Sequence, residues 1–385
     1  MNVGGLTAGV CLAVLAALVL WRRSRSQARR IRWQGGEDQV HELRVALRST
    51  TRISAACGVV AAFLCVDWAR WRGISPGAAG VVVVLAAACL ALPPAVAGRP
   101  VVSTYARLRG VTPRAMRSFR LFAAMAITTA VTLCPLAAVL AVHARLPVDF
   151  LIVLASGLVA SPVLYGIVAP AQAWIVGPAR LPADVGTRLS RMSAELGVRV
   201  HGRLARARER KVANAMQFGW LPGLRYVVVT DYLLDELAPA EVDACLAHEL
   251  AHVRHRDVMG RVLRRSLYCT VLYLALLEVS AGNYARLFLA LVVAAGAAGY
   301  WLAPRSSAGL IGAELAADDL AVTVVGAAVL ATALQRLAEV NAIKRDTSLD
   351  WDRTVGHPGV GRRIARLLPD GDQPSGAGAA AESGK

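Results

Sequence analysis

Charge is scarce in this chain of 385 residues: only 18% of them are Asp, Glu, Lys or Arg, against about a quarter in an average soluble domain. Apolar residues make up 56% and the mean hydropathy is +0.49. An ordinary water-soluble globule is thereby excluded, and much of the chain is assigned to membrane. Lysine is nearly missing, with 3 Lys among 43 basic residues. The net charge of +17 does not indicate nucleic acid. No basic face interleaved with aromatics and no nucleic-acid-binding motif is found. Instead the arginines crowd the ends of apolar runs, which is the mark of membrane topology. Seven cysteines are present but no C-x-x-C pair, which argues against disulfides and against a thiolate metal site. Cys11, Cys57, Cys65, Cys89 and Cys134 fall within apolar runs, Cys269 opens another, and Cys245 precedes the motif described below. They read as small buried hydrophobes. No internal repeat is visible.

What is present is a series of apolar runs. The first, Gly4 to Trp21, is followed by Arg22, Arg23, Arg25, Arg29, Arg30 and Arg32. A cleaved signal peptide carries its charge before the apolar run, so this reads as an uncleaved first span with its N-terminus outside. Further runs occupy about 53–67, 77–97, 121–142, 150–176, 266–282 and 284–303. Most approach the roughly 20 residues needed to cross a bilayer, and seven spans result. Residues 22–52 hold nine Arg and residues 98–120 six, whereas 67–76 and 143–149 hold two and one. This alternation puts the Arg-rich loops, and with them the segment after the fifth span, in the cytoplasm. Glu278, near the outer end of the sixth span, is an intramembrane acid with no assigned role.

That cytoplasmic segment carries His-Glu-Leu-Ala-His at residues 248–252. On a helix two imidazoles four residues apart lie on one face, so both can bind one zinc ion, with Glu249 beside the open metal position. A hydrolytic zinc takes three protein ligands and keeps one position for water. Glu314 is the candidate third ligand, because the hairpin at 266–303 returns the chain to the same side of the membrane. Asp318, four residues on, shares the Glu314 face and suits a carboxylate that orients a ligand imidazole. Asp319 points elsewhere. Around the motif, Leu181 to Leu196 reads as an amphipathic helix ended by Gly197, and 198–208 as a strand. Tyr226 to Thr230 is the clearest strand. Pro239 and Glu241 suit the start of the motif helix, and a helix runs from Glu314 towards Lys344. The tail at 369–385 is rich in Gly, Ala, Ser and Pro and reads as disordered.

The stretch from Asn214 to Asp257 resembles the membrane zinc peptidases that include the type I CAAX prenyl protease and the bacterial heat-shock membrane protease. The resemblance is carried by Asn214-Ala215, the run Leu-Pro-Gly-Leu-Arg-Tyr-Val-Val-Val-Thr-Asp-Tyr-Leu-Leu at 221–234, and the His-Glu motif with Asp257 five residues on. Glu314 with Asp318, and His357-Pro358 with Arg363-Ile364, match two later elements, so the likeness covers about residues 185–367. It implies that His248, His252 and Glu314 bind one Zn2+ and that Glu249 is general base and then acid. Asn214 and Ala215 would begin an edge strand that pairs with substrate, although Asn214 alone reads equally as a turn residue. Arg363 would line the cleft or support its fold, and His357 would serve the turn around it. His255 reads as a membrane-flanking polar residue.

The expected fold class is mainly α: a polytopic α-helical membrane protein of about seven spans with a small α+β cytoplasmic, zincin-like catalytic domain. The expected division is a membrane region at 1–177, a catalytic segment at 178–265, a transmembrane hairpin at 266–303, a second catalytic segment at 304–368 and the tail. The expected protein is a multi-pass plasma-membrane zinc metalloendopeptidase. Its partners are membrane-associated proteins or peptides as substrates, and the lipid bilayer. Two other readings are a sensor-transducer membrane zinc peptidase that cleaves a regulator, and a catalytically silent membrane scaffold.

Overall fold

A computed structural model describes residues 4–34, 96–112, 150–263, 304–349 and 357–368, short pieces between 42 and 50, and residues 266 and 352. Two long helices precede the catalytic segment, α1 (Gly4–Gln34) and α3 (Phe150–Val176), with the short α2 (Arg99–Leu108) between them. They contain the expected first and fifth spans. The side chains of α1 are described from Val10 to Ile31, and those of α3, Val159 apart, from Pro162. Among the described residues no helix is long and apolar enough to cross a membrane. The other five expected spans, Glu278 and the tail lie outside the described residues, apart from the edges of two spans. Cys245 is buried as expected, but Cys11 is exposed on α1. The remaining cysteines lie outside the described residues.

After α3 come α4 (Ala183–Glu195), β1 (His201–Ala205), β2 (Ala215–Phe218), β3 (Tyr226–Thr230), α5 (Asp231–Glu236) and α6 (Pro239–Arg254). The strand expected over 198–208 is shorter than the sequence suggests. Its last part is a 3-10 turn at Arg208–Arg210, closed by Lys211 at φ 50°, and β1 ends where its parallel partner β3 ends, at Ala205 opposite Thr230. The three strands form a sheet in the order β1-β3-β2, with β2 antiparallel to β3 and on the edge.

Alternation divides this sheet into two apolar faces. Val227 and Val229 point into the main core with Leu189, Met192, Leu246, Leu250, Leu330 and Leu334. Val228 points the other way, onto Ala173 of α3, with Met216, Phe218 and Tyr226 beside it. Arg203 fixes the junction between α3 and the sheet. Its Nε and Nη2 donate to the Gly177 and Pro178 carbonyls at 2.8 Å each, and its guanidinium lies 3.8 Å over the Trp174 ring.

The helix expected from Glu314 towards Lys344 is two helices, α7 (Pro304–Val325) and α8 (Ala327–Val340). Gly326 divides them at φ 85°, a conformation that a residue with Cβ adopts only under strain. The break lets α8 fold back across α6, burying Leu330, Ala333 and Leu334 in the main core. Asn341, just past α8, ties it to the sheet. Its Nδ2 donates to the Ala213 carbonyl at 2.7 Å, and its Oδ1 accepts from the Ala213 N–H at 3.0 Å. The short α9 (Val360–Leu367) closes the described fold.

Candidate metal centre

The motif helix α6 begins with Pro239, whose missing N–H costs nothing in the first turn. Ala238 has no side-chain oxygen to cap it, but the Glu241 carboxylate accepts from the Ala238 N–H at 2.8 Å. The buried face of α6 includes Leu246, Leu250 and Val253. His248 and His252, one turn apart, face α7. The helix stops at Arg254, and Arg256 at φ 59° turns the chain into a further helical stretch that begins with Asp257. This turn carries Asp257 back to His252, with Oδ2 2.7 Å from Nδ1.

The two Nε2 atoms lie 3.2 Å apart. Glu314 of α7 joins them, with Oε2 3.5 Å from His248 Nε2 and Oε1 3.4 Å from His252 Nε2. A tetrahedral ion with bonds of about 2.0–2.1 Å holds its ligand atoms about 3.3 Å apart. The Nε2 pair at 3.2 Å matches such an edge. Each nitrogen has one oxygen of the Glu314 carboxylate at 3.4–3.5 Å, and one ligand atom from each residue lies within 4.8 Å of the others. Among the described residues this is the group able to hold a metal ion. Cys245, one turn before His248, is no competitor. Burial pushes its thiol up to about 12, so it stays protonated.

Each imidazole is gripped from behind by its own carboxylate. Asp318 Oδ1 lies 3.0 Å from His248 Nδ1, as Asp257 does from the other side for His252. Both contacts place the ring proton on Nδ1 and leave Nε2 free to bind metal. Asp318, only 1% exposed, is itself held by a two-pronged ion pair in which Arg363 Nε and Nη2 donate at 2.7 and 2.5 Å. Asp319 faces outward and pairs with Arg366 at 2.7 Å.

Electrostatics follow this packing. Burial lowers the pKa of His252, but the bonds to Asp257 and Glu314 outweigh it and lift the imidazole to about 9. His248 is likewise raised, because Asp318 and Glu314 overcome its burial. Burial would raise Glu314 and Asp318, yet the bonds to the imidazoles, and to Arg363 in the case of Asp318, hold both carboxylates below their usual range. Glu249 is the exception. Burial pushes its carboxyl up, against the pull of His248 and His252.

Of the residues singled out in the sequence, His248, His252, Glu314 and Asp318 come together here, with Arg363 behind Asp318. Asn214 and Ala215 are not part of the ligand group and lie at the start of the edge strand. The Asn214 N–H donates to Thr230 Oγ1 at 2.9 Å and its carbonyl accepts from the Thr230 N–H at 3.0 Å, so it extends the sheet and is not a free turn. His255 is exposed at the end of α6, away from the ligand group. His357 approaches the group from its rim: its Nδ1 lies 3.1 Å from Glu314 Oε2 while its side chain is 58% exposed. Buried Asp352 accepts from the Gly359 N–H at 2.8 Å and from Thr347 Oγ1 at 2.6 Å and pairs with Arg362. Asp257 carried no assigned role in the sequence. The signal was an acid five residues past a ligand histidine, beyond a turn that the sequence does not announce.

Two imidazoles one helical turn apart, a glutamate between them and a carboxylate from a second helix define the metallopeptidase class of sites. More particularly, residues 180–369 match the profile of peptidase family M48, and over that stretch the chain is similar to this family. Protease HtpX homolog 2 of Methanosarcina acetivorans is 48% identical over 48 residues, 12% of this chain and 16% of that protein. Its namesake in Methanosarcina mazei is 37% identical over 73 residues, 19% of this chain and 25% of that protein. The matched stretches thus span a quarter or less of these relatives. The fold extends further: Ste24p of S. mikatae superposes with a TM-score of 0.52 over 94% of this chain and 99% of its own, at 14% identity.

Proposed function

We propose that this chain is an integral-membrane zinc metalloendopeptidase that hydrolyses peptide bonds of membrane-associated proteins or peptides at the cytoplasmic face. The observation that carries the reading is the convergence of His248 Nε2, His252 Nε2 and the Glu314 carboxylate at mutual distances of 3.2–3.5 Å. Two nitrogens and one oxygen with a position left open suit catalytic zinc. Bound there, zinc supplies a water of lowered pKa and polarises the scissile carbonyl.

The protein groups do the rest. Glu249, whose carboxyl burial pushes up, takes the proton of the attacking water and delivers it to the leaving amine. Asp318 and Asp257 hold the two imidazoles in the tautomer that presents Nε2. Arg363 keeps Asp318 ionised and fixed. The edge strand β2, continued by Asn214, offers unpaired main-chain groups to an extended substrate, and pairing there carries the peptide along the cleft. The membrane setting rests on the apolar runs and on the alternation of arginine between loops, which places the N-terminus outside and the metal centre in the cytoplasm. In this reading residues 178–265 and 304–368 form one catalytic body, and 1–177 and 266–303 its membrane part.

Glu249→Gln tests the proposal. Purified protein should retain its metal and lose peptidase activity by about 10²–10⁴-fold. Full activity in the metal-loaded variant would rule out Glu249 as the base, and unchanged biological function would favour a silent scaffold.

A further inference from the structure

The turn between β2 and β3 runs Trp220-Leu221-Pro222-Gly223-Leu224 and lies against α3. Trp220 Nε1 donates to the Pro162 carbonyl at 3.0 Å. Leu221 packs where Gly166 lacks a side chain, and a Cβ there would meet Leu221 Cδ1 at 2.4 Å. Gly219, at φ 79°, approaches Ala169 in the same way. The turn therefore occupies the level of residues 162–169 on α3. About a quarter-turn round that helix, Val159, Val163 and Ile167 are 62%, 40% and 54% exposed. Pro222 and Gly223 are exposed as well, and Trp220, Leu221 and Leu224 only half-buried. Turn and helix together present one bare apolar surface.

Two features separate this surface from a water-facing loop. Three of the turn's carbonyls have protein donors: Arg225 Nε to Trp220 O at 3.0 Å, the Leu224 N–H to Leu221 O at 3.0 Å, and His201 Nε2 to Gly223 O at 3.1 Å. A loop that leaves water needs such internal satisfaction. Its root is basic, with Arg225 next to the tip, its pKa lowered by burial and then by the charge of Arg256. An apolar tip above a cationic root matches the layering of acyl chain and anionic headgroup.

We infer that the Trp220–Leu224 turn is a wedge in the lipid, inserted among the acyl chains of the cytoplasmic leaflet beside α3, with Arg225 and Arg256 on its side toward the anionic headgroups. The inference rests on the membrane reading given above. Its consequence is that β2, which leads directly into the wedge, is seated on the bilayer surface, so substrates that pair with it are segments emerging from lipid.

The test uses the full chain in nanodiscs of phosphatidylcholine and phosphatidylglycerol. An environment-sensitive fluorophore is introduced as an unnatural amino acid at position 222, at 163 on α3, or at the exposed position 206. Position 222 should lose most of its emission to lipids bearing a nitroxide on the acyl chain and little to aqueous iodide, as position 163 does, while position 206 should behave oppositely. Quenching of 222 by iodide with 163 still lipid-quenched overturns the wedge and leaves the membrane reading intact. Shielding of 222 from both quenchers also overturns it, since a protein surface then covers the turn. Iodide quenching at both 222 and 163 removes the membrane reading and the wedge with it.

Discussion

His248 and His252 reach the metal centre from successive turns of one helix, whereas Glu314 and Asp318 reach it from α7, and Arg363 from α9. The first half needs only that α6 be helical. Its second carboxylate, Asp257, is also local, delivered by the turn at Arg256. The second half needs α7 to lie along α6, α8 to fold back at Gly326, and α9 to bring a guanidinium under Asp318. Both halves end alike, with an imidazole held from behind by a carboxylate. They differ in what holds that carboxylate: Asp257 is partly open to solvent, whereas Asp318 is sealed and neutralised by a buried arginine. A locally encoded ligand can rely on its helix. A ligand support assembled from distant segments depends on a buried ion pair that only the complete fold supplies.

The sharpest way to break this contrast is at that ion pair. Arg363→Ala leaves Asp318 buried without its partner, a change worth about 3–5 kcal/mol. Arg366→Ala removes the exposed pair with Asp319 one helical turn away, worth about 1 kcal/mol or less. Denaturant unfolding of the two variants in detergent should separate them by that margin. Equal losses would show that the Arg363–Asp318 pair does not carry the second half.

The metal ion itself offers a second handle. In the metal-free chain both ligand imidazoles have raised pKa values, His252 to about 9. A raised imidazole pKa gives stability that is complete below its unfolded value of about 6.5 and is lost as pH climbs through the folded value. The metal-free protein should therefore lose up to about 3 kcal/mol between pH 6.5 and 9. Metal binding requires neutral imidazoles and strengthens over the same window. Thermal melts with chelator and with zinc should diverge steadily as pH rises. Parallel curves would mean that the imidazoles are not the groups that exchange a proton for metal.

The same contrast explains what could be read in the sequence. His-Glu-Leu-Ala-His displays its chemistry because a helix of period 3.6 fixes which residues face together, and Glu314 with Asp318 follows by the same spacing. The break at Gly326 is hidden, because one glycine inside an apolar, alanine-rich run is compatible with a continuous helix until α6 is there to pack against. The contact of His357 with Glu314 is hidden as well, because it depends on how the segment held by Asp352 folds. The two-faced sheet was equally hidden. Tyr226 to Thr230 reads as a buried strand, but its sequence does not say that Val228 meets α3 while Val227 and Val229 meet α6 and α8.

The finest test compares the two orienting carboxylates directly. Asn keeps the shape of Asp and removes its charge, so Asp257→Asn and Asp318→Asn each weaken the hold on one imidazole without opening a cavity. Loss of such a support costs about 10–100-fold in metal affinity or activity. If the local half is self-sufficient, Asp257→Asn should fall at the low end, because His252 keeps its place on α6 and solvent can replace part of the lost bond. Asp318→Asn should fall at the high end, because it also strands the buried Arg363 guanidinium, whose charge then repels the ion that His248 is meant to hold. Competition titration with a chromophoric zinc chelator measures both affinities on one scale. An Asp257 variant weaker than the Asp318 variant would reverse the contrast, and place the controlling support of the centre beside the turn at Arg256 and not in the packing of α7 against α9.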